Sequence, residues 1–385
     1  MKNIIIFIMK LKQLQKSKKS SPKIFVWSYL EDYKKNKKKI LEITDKVFSS
    51  GNLILSNEVI NFENNFSNFT DNNFGIGVNS GTDALQIALM SIGIKKNDEV
   101  ITVSNTAVPT VSAIISCNAK PIFVDVNEND FLINASLIEQ KITKKTKAII
   151  PLNLYGQSAN YELINQISKK YSLKVIEDCA QSAGAFYKNK PSGSLGDLAA
   201  FSFYPTKNLG GYGDGGMIVT KNNKLHLSCK KLRKYGMNKS YYAEIHGINS
   251  RLDEVQAAIL NFQLTKLKSN IIKRRKIAKI YNENLKTPSL ELPIENKDNF
   301  HSYYVYVVKH PQRKKIMNYL KDNDIFCNIS YPYPIHSMKG YNYLNKKKDD
   351  LLITNKLSKQ IFSLPMYPEL STIKLEKVIN ILNKF

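Results

Sequence analysis

Arginine is scarce in this chain. Arg233, Arg251, Arg274, Arg275 and Arg313 are the only five among its 57 lysines and arginines. The formal net charge of +25 invites a nucleic-acid reading, but readers of bases and phosphates lean on arginine forks. The lysines here are scattered among polar residues, as in TKKTK and VTKNNK. No basic stripe with interleaved aromatics and no RNA-module signature occurs. The pattern describes a lysine-rich solvated surface, able to draw in an anionic substrate, and no nucleic-acid partner is expected.

Cysteine is equally sparse. Cys117, Cys179, Cys229 and Cys327 are the four in 385 residues, and no two stand at metal-ligand or redox spacing. No disulfide framework and no metal site follow, and the default compartment is the reducing cytoplasm. Long apolar runs are also missing. The run Ile4 to Met9 is too short for a signal-peptide core and precedes no small-residue cleavage site. Nothing approaches the roughly 18 apolar residues of a membrane span, so no membrane partner is expected. Residues 1–22 read as a disordered basic arm.

What is present is a rhythm. Short apolar runs at 74–78, 99–103, 121–126, 147–152, 173–178, 198–203 and 216–220 are mostly separated by helical stretches such as TDALQIALMSIG and YELINQISKKY. Strands alternating with helices predict an α/β domain built on a mostly parallel sheet. The last two runs have no helix between them, which predicts an antiparallel pairing there. Ahead of this domain, YLEDYKKNKKKILEITDKVFSS reads as a helix stopped by Gly51; after it, RLDEVQAAIL opens a long one. A strand-like SYYVYVV and a helix-like RKKIMNYLKDND then predict a smaller α+β domain. The expected division is 1–22 arm, 23–270 large domain and 271–385 small C-terminal domain; the 43% hydrophobic content suffices for two cores.

One stretch stands apart: SFYPTKNLGGYGDGG, residues 202–216. A single lysine, Lys207, lies ahead of five glycines, and glycines at that density suit a backbone that something approaches closely. In an open parallel sheet, ligands sit off the carboxyl ends of the strands. Asp178 ends one apolar run, with Gln181 three residues on; Ser202 ends another, with Lys207 five residues on. At the first strand end, GVNSGTDAL runs directly into a helix, so Gly81 and Thr82 present free N–H groups and a hydroxyl, a ready anion site. Singly, these are a strand-end cap, a common helix start and a surface charge. Together they suit pyridoxal phosphate (PLP). Its aldehyde takes a lysine amine, its pyridine nitrogen a carboxylate, and its phosphate N–H and hydroxyl donors.

The chain resembles the PLP-dependent nucleotide-sugar aminotransferases of the DegT/DnrJ type, which have the fold-type I aminotransferase architecture. The resemblance runs from about residue 24 to the C-terminus. It is carried in order by NSGTDALQIAL, VIEDCAQSAGA, GDLAAFSFYPTKNLGGYGDGGMIVT, HGINSRLDEVQAAIL, ISYPYPIH and FSLPMYP. It implies a seven-stranded, mostly parallel sheet sandwiched by helices, with a smaller C-terminal α+β domain. It also implies that Lys207 bonds the coenzyme, Asp178 partners the pyridinium and Gln181 meets the ring hydroxyl or ring face. Gly81, Thr82 and Ser202 match the phosphate site. Asn249 matches an asparagine that reaches the phosphate from the neighbouring subunit, so a homodimer with shared active sites is expected. Tyr331 and His336 match the segment lining the sugar pocket, and Arg251 is taken with them as substrate-binding.

Two departures stand out. Ala107 in SNTAVPT occupies a place where this family often sets an aromatic residue over the coenzyme ring, and Ser56–Asn57 replace a frequent Gly-Pro. The implied reaction transfers an amino group from L-glutamate to a keto nucleotide sugar. KYGMNKSYYAEIHGINSRLDEVQ and NTAVPT most resemble members that aminate C-3 of a dTDP-3-keto-6-deoxyhexose, as in surface polysaccharide synthesis. C-4 amination of a UDP- or GDP-sugar and a regulatory PLP-binding role are the alternatives. Dehydratase members carry histidine in place of the lysine, which Lys207 argues against.

Overall fold

The computed structural model describes residues 23–239, 241–344 and 351–385; the expected arm 1–22 lies outside them. Seven strands form the central sheet: β1 (Phe74–Val78), β2 (Glu99–Val103), β3 (Lys120–Val124), β4 (Thr146–Ile149), β5 (Lys174–Asp178), β6 (Leu198–Ser202) and β7 (Gly216–Thr220). Their spatial order is β1-β7-β6-β5-β4-β2-β3. All neighbours run parallel except β7, which is antiparallel to both β1 and β6. The helix-less step between β6 and β7 explains that exception, because a parallel return needs a crossover.

The strands are apolar almost throughout because both faces are covered. Their alternation divides two cores. Ala200 and Ile218 face one; Ala199, Phe201, Met217 and Val219 face the other. Helices α1 (Leu30–Ser50) and α2 (Asn57–Phe69) precede the sheet, and α2 drives Phe62 and Phe66 against Phe201 and Phe203. On the opposite face lie α3 (Gly81–Ser91), α4 (Val108–Ser116) and α6 (Asn223–Leu232), while α5 (Tyr161–Lys170) lies on the α2 side, its Tyr161 hydroxyl donating to Asn153 Oδ1 and the Asn153 amide to Glu177 Oε2 on β5. Gly51 stops α1 with φ +69°, a conformation glycine takes without strain.

Helix α7 (Glu254–Asn284) begins where the Asp253 carboxylate accepts from Gln256 N–H. It is continuous across the expected boundary at 270/271. Leu260 and Leu267 pack in the sheet core, while Ile277 and Tyr281 pack in the C-terminal core. That second core lies among α7, α8 (Arg313–Asp322), α10 (Thr372–Leu382) and an antiparallel pair, Tyr306–Lys309 with Ile361–Leu364. The strand read from SYYVYVV starts only at Tyr306, because Tyr303 turns the chain with φ +46°. Ile24–Phe25, read with the large domain, pairs instead with Ile325–Phe326. Helix α9 (Leu352–Gln360) is tied back to the sheet by Asp125, whose carboxylate accepts from Ile353 N–H, Thr354 N–H and the Thr354 hydroxyl.

Among the described residues no helix is long and apolar enough to cross a membrane, and no cluster of His, Cys, Asp and Glu is arranged to hold a metal ion.

Candidate active site

A cavity of about 290 Å³ opens at the carboxyl ends of the central strands, where doubly wound sheets place ligands. Asp178, the last residue of β5, forms its floor and is 6% exposed. Its Oδ2 accepts from the Thr110 hydroxyl at 2.8 Å, and its Oδ1 accepts from Ala180 N–H at 3.1 Å. Burial pushes the carboxyl above the ordinary aspartate range; Thr110, the Ala180 N–H and the Lys207 charge oppose this. Such a group gains from a cation placed against it.

Lys207 lies in the wall, its ammonium 4.7 Å from the centre of the Tyr304 ring. The segment carrying it is turned by Lys207 N–H donating to the Tyr204 carbonyl at 2.9 Å. Facing this is the N-terminus of α3. Ser80 caps it by accepting from Asp83 N–H, leaving the Gly81 and Thr82 N–H groups without intrahelical acceptors. A Cβ on Gly81 would stand 2.7 Å from Ser202 Cβ, and one on Gly216 would stand 2.3 Å from the Ser80 carbonyl oxygen. Glycine at both positions therefore lets the helix end close onto β6 and β7.

Gln181 bridges two tyrosines. Its Oε1 accepts from Tyr155 N–H at 2.8 Å, and its amide donates to the Tyr331 hydroxyl. Both tyrosines have positive φ, +59° and +64°, uncommon for a side chain of that bulk. Their rings lie parallel, 6.5 Å apart. Beside Asp178 the wall is made by Thr106, Ala107, Pro109 and Thr110, and this loop contributes no aromatic ring.

Gly81, Thr82, Asp178, Gln181, Ser202, Lys207 and Tyr331 thus share one cavity. Three expected residues do not line it. Asn249 is exposed on a segment bridged to Lys234, and Arg251 sits just ahead of α7. His336 is buried, and both its ring nitrogens are engaged. Nδ1 lies 2.7 Å from Ser104 Oγ and Nε2 lies 3.1 Å from Asn355 Oδ1, so the ring joins the end of β2 to α9. Ser56–Asn57 also lies outside this cavity, with the Ser56 N–H held by Glu254.

Sequence reasoning missed Thr110 and Tyr304. Thr110 was legible in principle, standing in the first turn of the helix that follows a strand end. Tyr304 was hidden inside a run read as strand.

Residues 34–383 match the model of the DegT/DnrJ/EryC1/StrS aminotransferase family. A dTDP-3-amino-3,4,6-trideoxy-alpha-D-glucose transaminase from Micromonospora megalomicea subsp. nigra is 45% identical over 361 residues, covering 92% of this chain and 96% of that protein. The crystal structure of DesV from S. venezuelae superposes with a TM-score of 0.92 at 32% identity, covering 94% and 98% of the two chains. NtdA from Bacillus subtilis, solved with the cofactor PMP, gives a TM-score of 0.85 at 31% identity and covers 90% and 81%. The chain belongs to the DegT/DnrJ/EryC1/StrS aminotransferase family.

Proposed function

We propose that this protein transfers an amino group from L-glutamate to the keto carbon of a nucleotide-linked sugar, at C-3 of a dTDP-3-keto-6-deoxyhexose. The observation that carries the reading is the convergence of Asp178, Lys207 and the Gly81–Thr82–Ser202 cradle on one cavity. Aminotransferases of this family depend on PLP, and the residues present fit that group. A buried carboxylate with a raised pKa suits a pyridinium, a helix N-terminus with two hydroxyls suits a phosphate, and a lysine lines the same cavity. When bound, the coenzyme supplies an electron sink for the carbanion that forms at the donor's α-carbon.

The chain's own residues do the rest. Asp178 Oδ holds the proton on the coenzyme nitrogen, and Thr110 with the Ala180 N–H keeps that carboxylate aimed and ionised. Lys207 Nζ would anchor the coenzyme and, as a free amine, would move the proton at the donor's α-carbon. Gln181 orients the ring and, through Tyr331, the sugar. Gly81, Thr82 and Ser202 hold the phosphate, with Asn249 of a second copy completing the cradle in a homodimer that works in the cytoplasm. The C-3 assignment draws on the name of the Micromonospora relative. Mass spectrometry of the holoenzyme with glutamate and a panel of 3-keto and 4-keto nucleotide sugars tests it. Mass gain of an amine on a dTDP-3-keto sugar is expected, and no amination of any member of the panel rejects the reading.

A further inference from the structure

The Gly81 and Thr82 N–H groups stand where β1 turns into α3, and side chains from distant segments hold that turn. At the strand end, Glu63 Oε1 of α2 accepts from Gly77 N–H at 2.8 Å. Arg233 Nη1 donates to the Gly77 carbonyl at 2.8 Å and to the same Glu63 oxygen. Both members of this ion pair are buried. Closer to the cavity stands Ser250. Its N–H donates to the Arg233 carbonyl at 3.0 Å, which fastens it to the same frame. Its Oγ accepts from Asn79 N–H at 3.0 Å and donates to Asp83 Oδ2 at 2.6 Å. One hydroxyl thus joins the two positions that bracket Gly81 and Thr82. Ser250 is fully buried and stands outside the cavity wall, so it bears on the cavity through this turn.

Resting on the aminotransferase reading above, we infer that Ser250 is a positioning residue for the coenzyme phosphate, its hydroxyl setting the direction of the Gly81 and Thr82 N–H groups by bridging Asn79 and Asp83. Ser80 already supplies the cap of α3 by accepting from Asp83 N–H, so a second hydroxyl is not needed to start the helix. A serine hydroxyl can donate once and accept at the same time, which is what joining a main-chain N–H to a carboxylate requires. The bond to Asp83 has a second effect. A carboxylate in the first turn of a helix is drawn to the same positive end as a bound phosphate. Ser250 engages Asp83 Oδ2 outside the cavity wall, which keeps that charge from competing for the free N–H groups.

Titrating the apo protein with PLP and with pyridoxal, which lacks the phosphate, separates this role from a general one. Absorbance titration of the parent should show PLP held the tighter. In Ser250→Ala the affinity for PLP is expected to fall about tenfold, with pyridoxal affinity near that of the parent, so the preference for PLP shrinks by the same factor. Should Ser250→Ala not fold, as read by circular dichroism, Ser250→Cys takes its place with the same expectation, since a thiol keeps the shape and donates weakly. Equal losses for PLP and pyridoxal would mark a general structural role and overturn the proposal. An unchanged PLP affinity in a folded variant overturns it too. A parent protein that binds neither compound defeats instead the aminotransferase reading on which the proposal rests.

Discussion

Thr110 and Asp178, 68 residues apart in sequence, meet in a 2.8 Å hydrogen bond in which the hydroxyl donates to Asp178 Oδ2. The bond opposes the rise that burial imposes on the carboxyl. Thr110→Val keeps the shape and removes the donor. A hydrogen bond to a charged group contributes about 1.5–3 kcal/mol, so coenzyme affinity should fall about tenfold or more, measured by absorbance titration of the apo protein. Asp178→Asn, which cannot hold the ring proton, should keep the fold and lower turnover about 100-fold or more. Unchanged turnover in Asp178→Asn would show that another group does this work.

Borohydride reduction of the holoenzyme followed by peptide mapping should place the label on Lys207. Lys207→Ala should abolish transamination, because anchor and proton carrier disappear together. A label on any other lysine would reject the assignment.

Asn249 lies outside the cavity of its own chain, and the proposed function gives it to the site of a second copy. Mixing Lys207→Ala subunits with Asn249→Ala subunits should restore activity. Each mixed dimer would hold one site with both lesions and one with neither. The test requires that Asn249→Ala alone is badly impaired and that subunits exchange. No recovery under those conditions would assign Asn249 to the site of its own Lys207.

The regiochemistry is open to a direct check. A 3-keto and a 4-keto sugar differ by one ring position, and a modest rotation exchanges them before the coenzyme. NMR of the product formed with glutamate should locate nitrogen at C-3. Nitrogen at C-4 would favour the UDP- or GDP-sugar alternative and leave aminotransfer intact.

His301 predicts an acid limit. Its ring is buried, stacks 4.0 Å from Tyr303 and accepts from Tyr303 N–H at 2.9 Å. Burial and the neighbouring Arg275 push its pKa down to about 3. The unfolded chain binds this proton near pH 6.5 and the folded chain does not, so stability is full above about 6.5 and falls below it. The limiting slope is about 1.4 kcal/mol per pH unit between those values. Urea titrations at pH 7 and pH 5 on the parent and on His301→Leu should show a smaller pH difference in the variant. Equal differences would show that the ring titrates freely.

The sheet was legible because its signals are local. Seven apolar runs and the helices between them mark a parallel architecture, and each run matches a strand to within a few residues. Asp178, Ser202 and the Gly81–Thr82 turn were legible too, since a strand end and a helix start place side chains by rule. Contacts between distant segments were not. Nothing in the sequence tells that Thr110 reaches Asp178, that Tyr304 lies under Lys207, or that Ser104 and Asn355 occupy both nitrogens of His336. The division at 270/271 falls inside α7 because its apolar positions continue past the point where the first core ends.

That unbroken helix sets how the cleft responds to its ligands. Its 31 residues make a rod of about 46 Å, embedded at one end in the sheet core and at the other in the C-terminal core. Turning one layer against the other at this element would break main-chain hydrogen bonds within a helix, where no loop exists to absorb the rotation. The helix thus ties the width between Lys207 and the C-terminal layer to the packing of both cores. Under the proposed function, the shape of the cavity walls is what would tell closely related sugars apart.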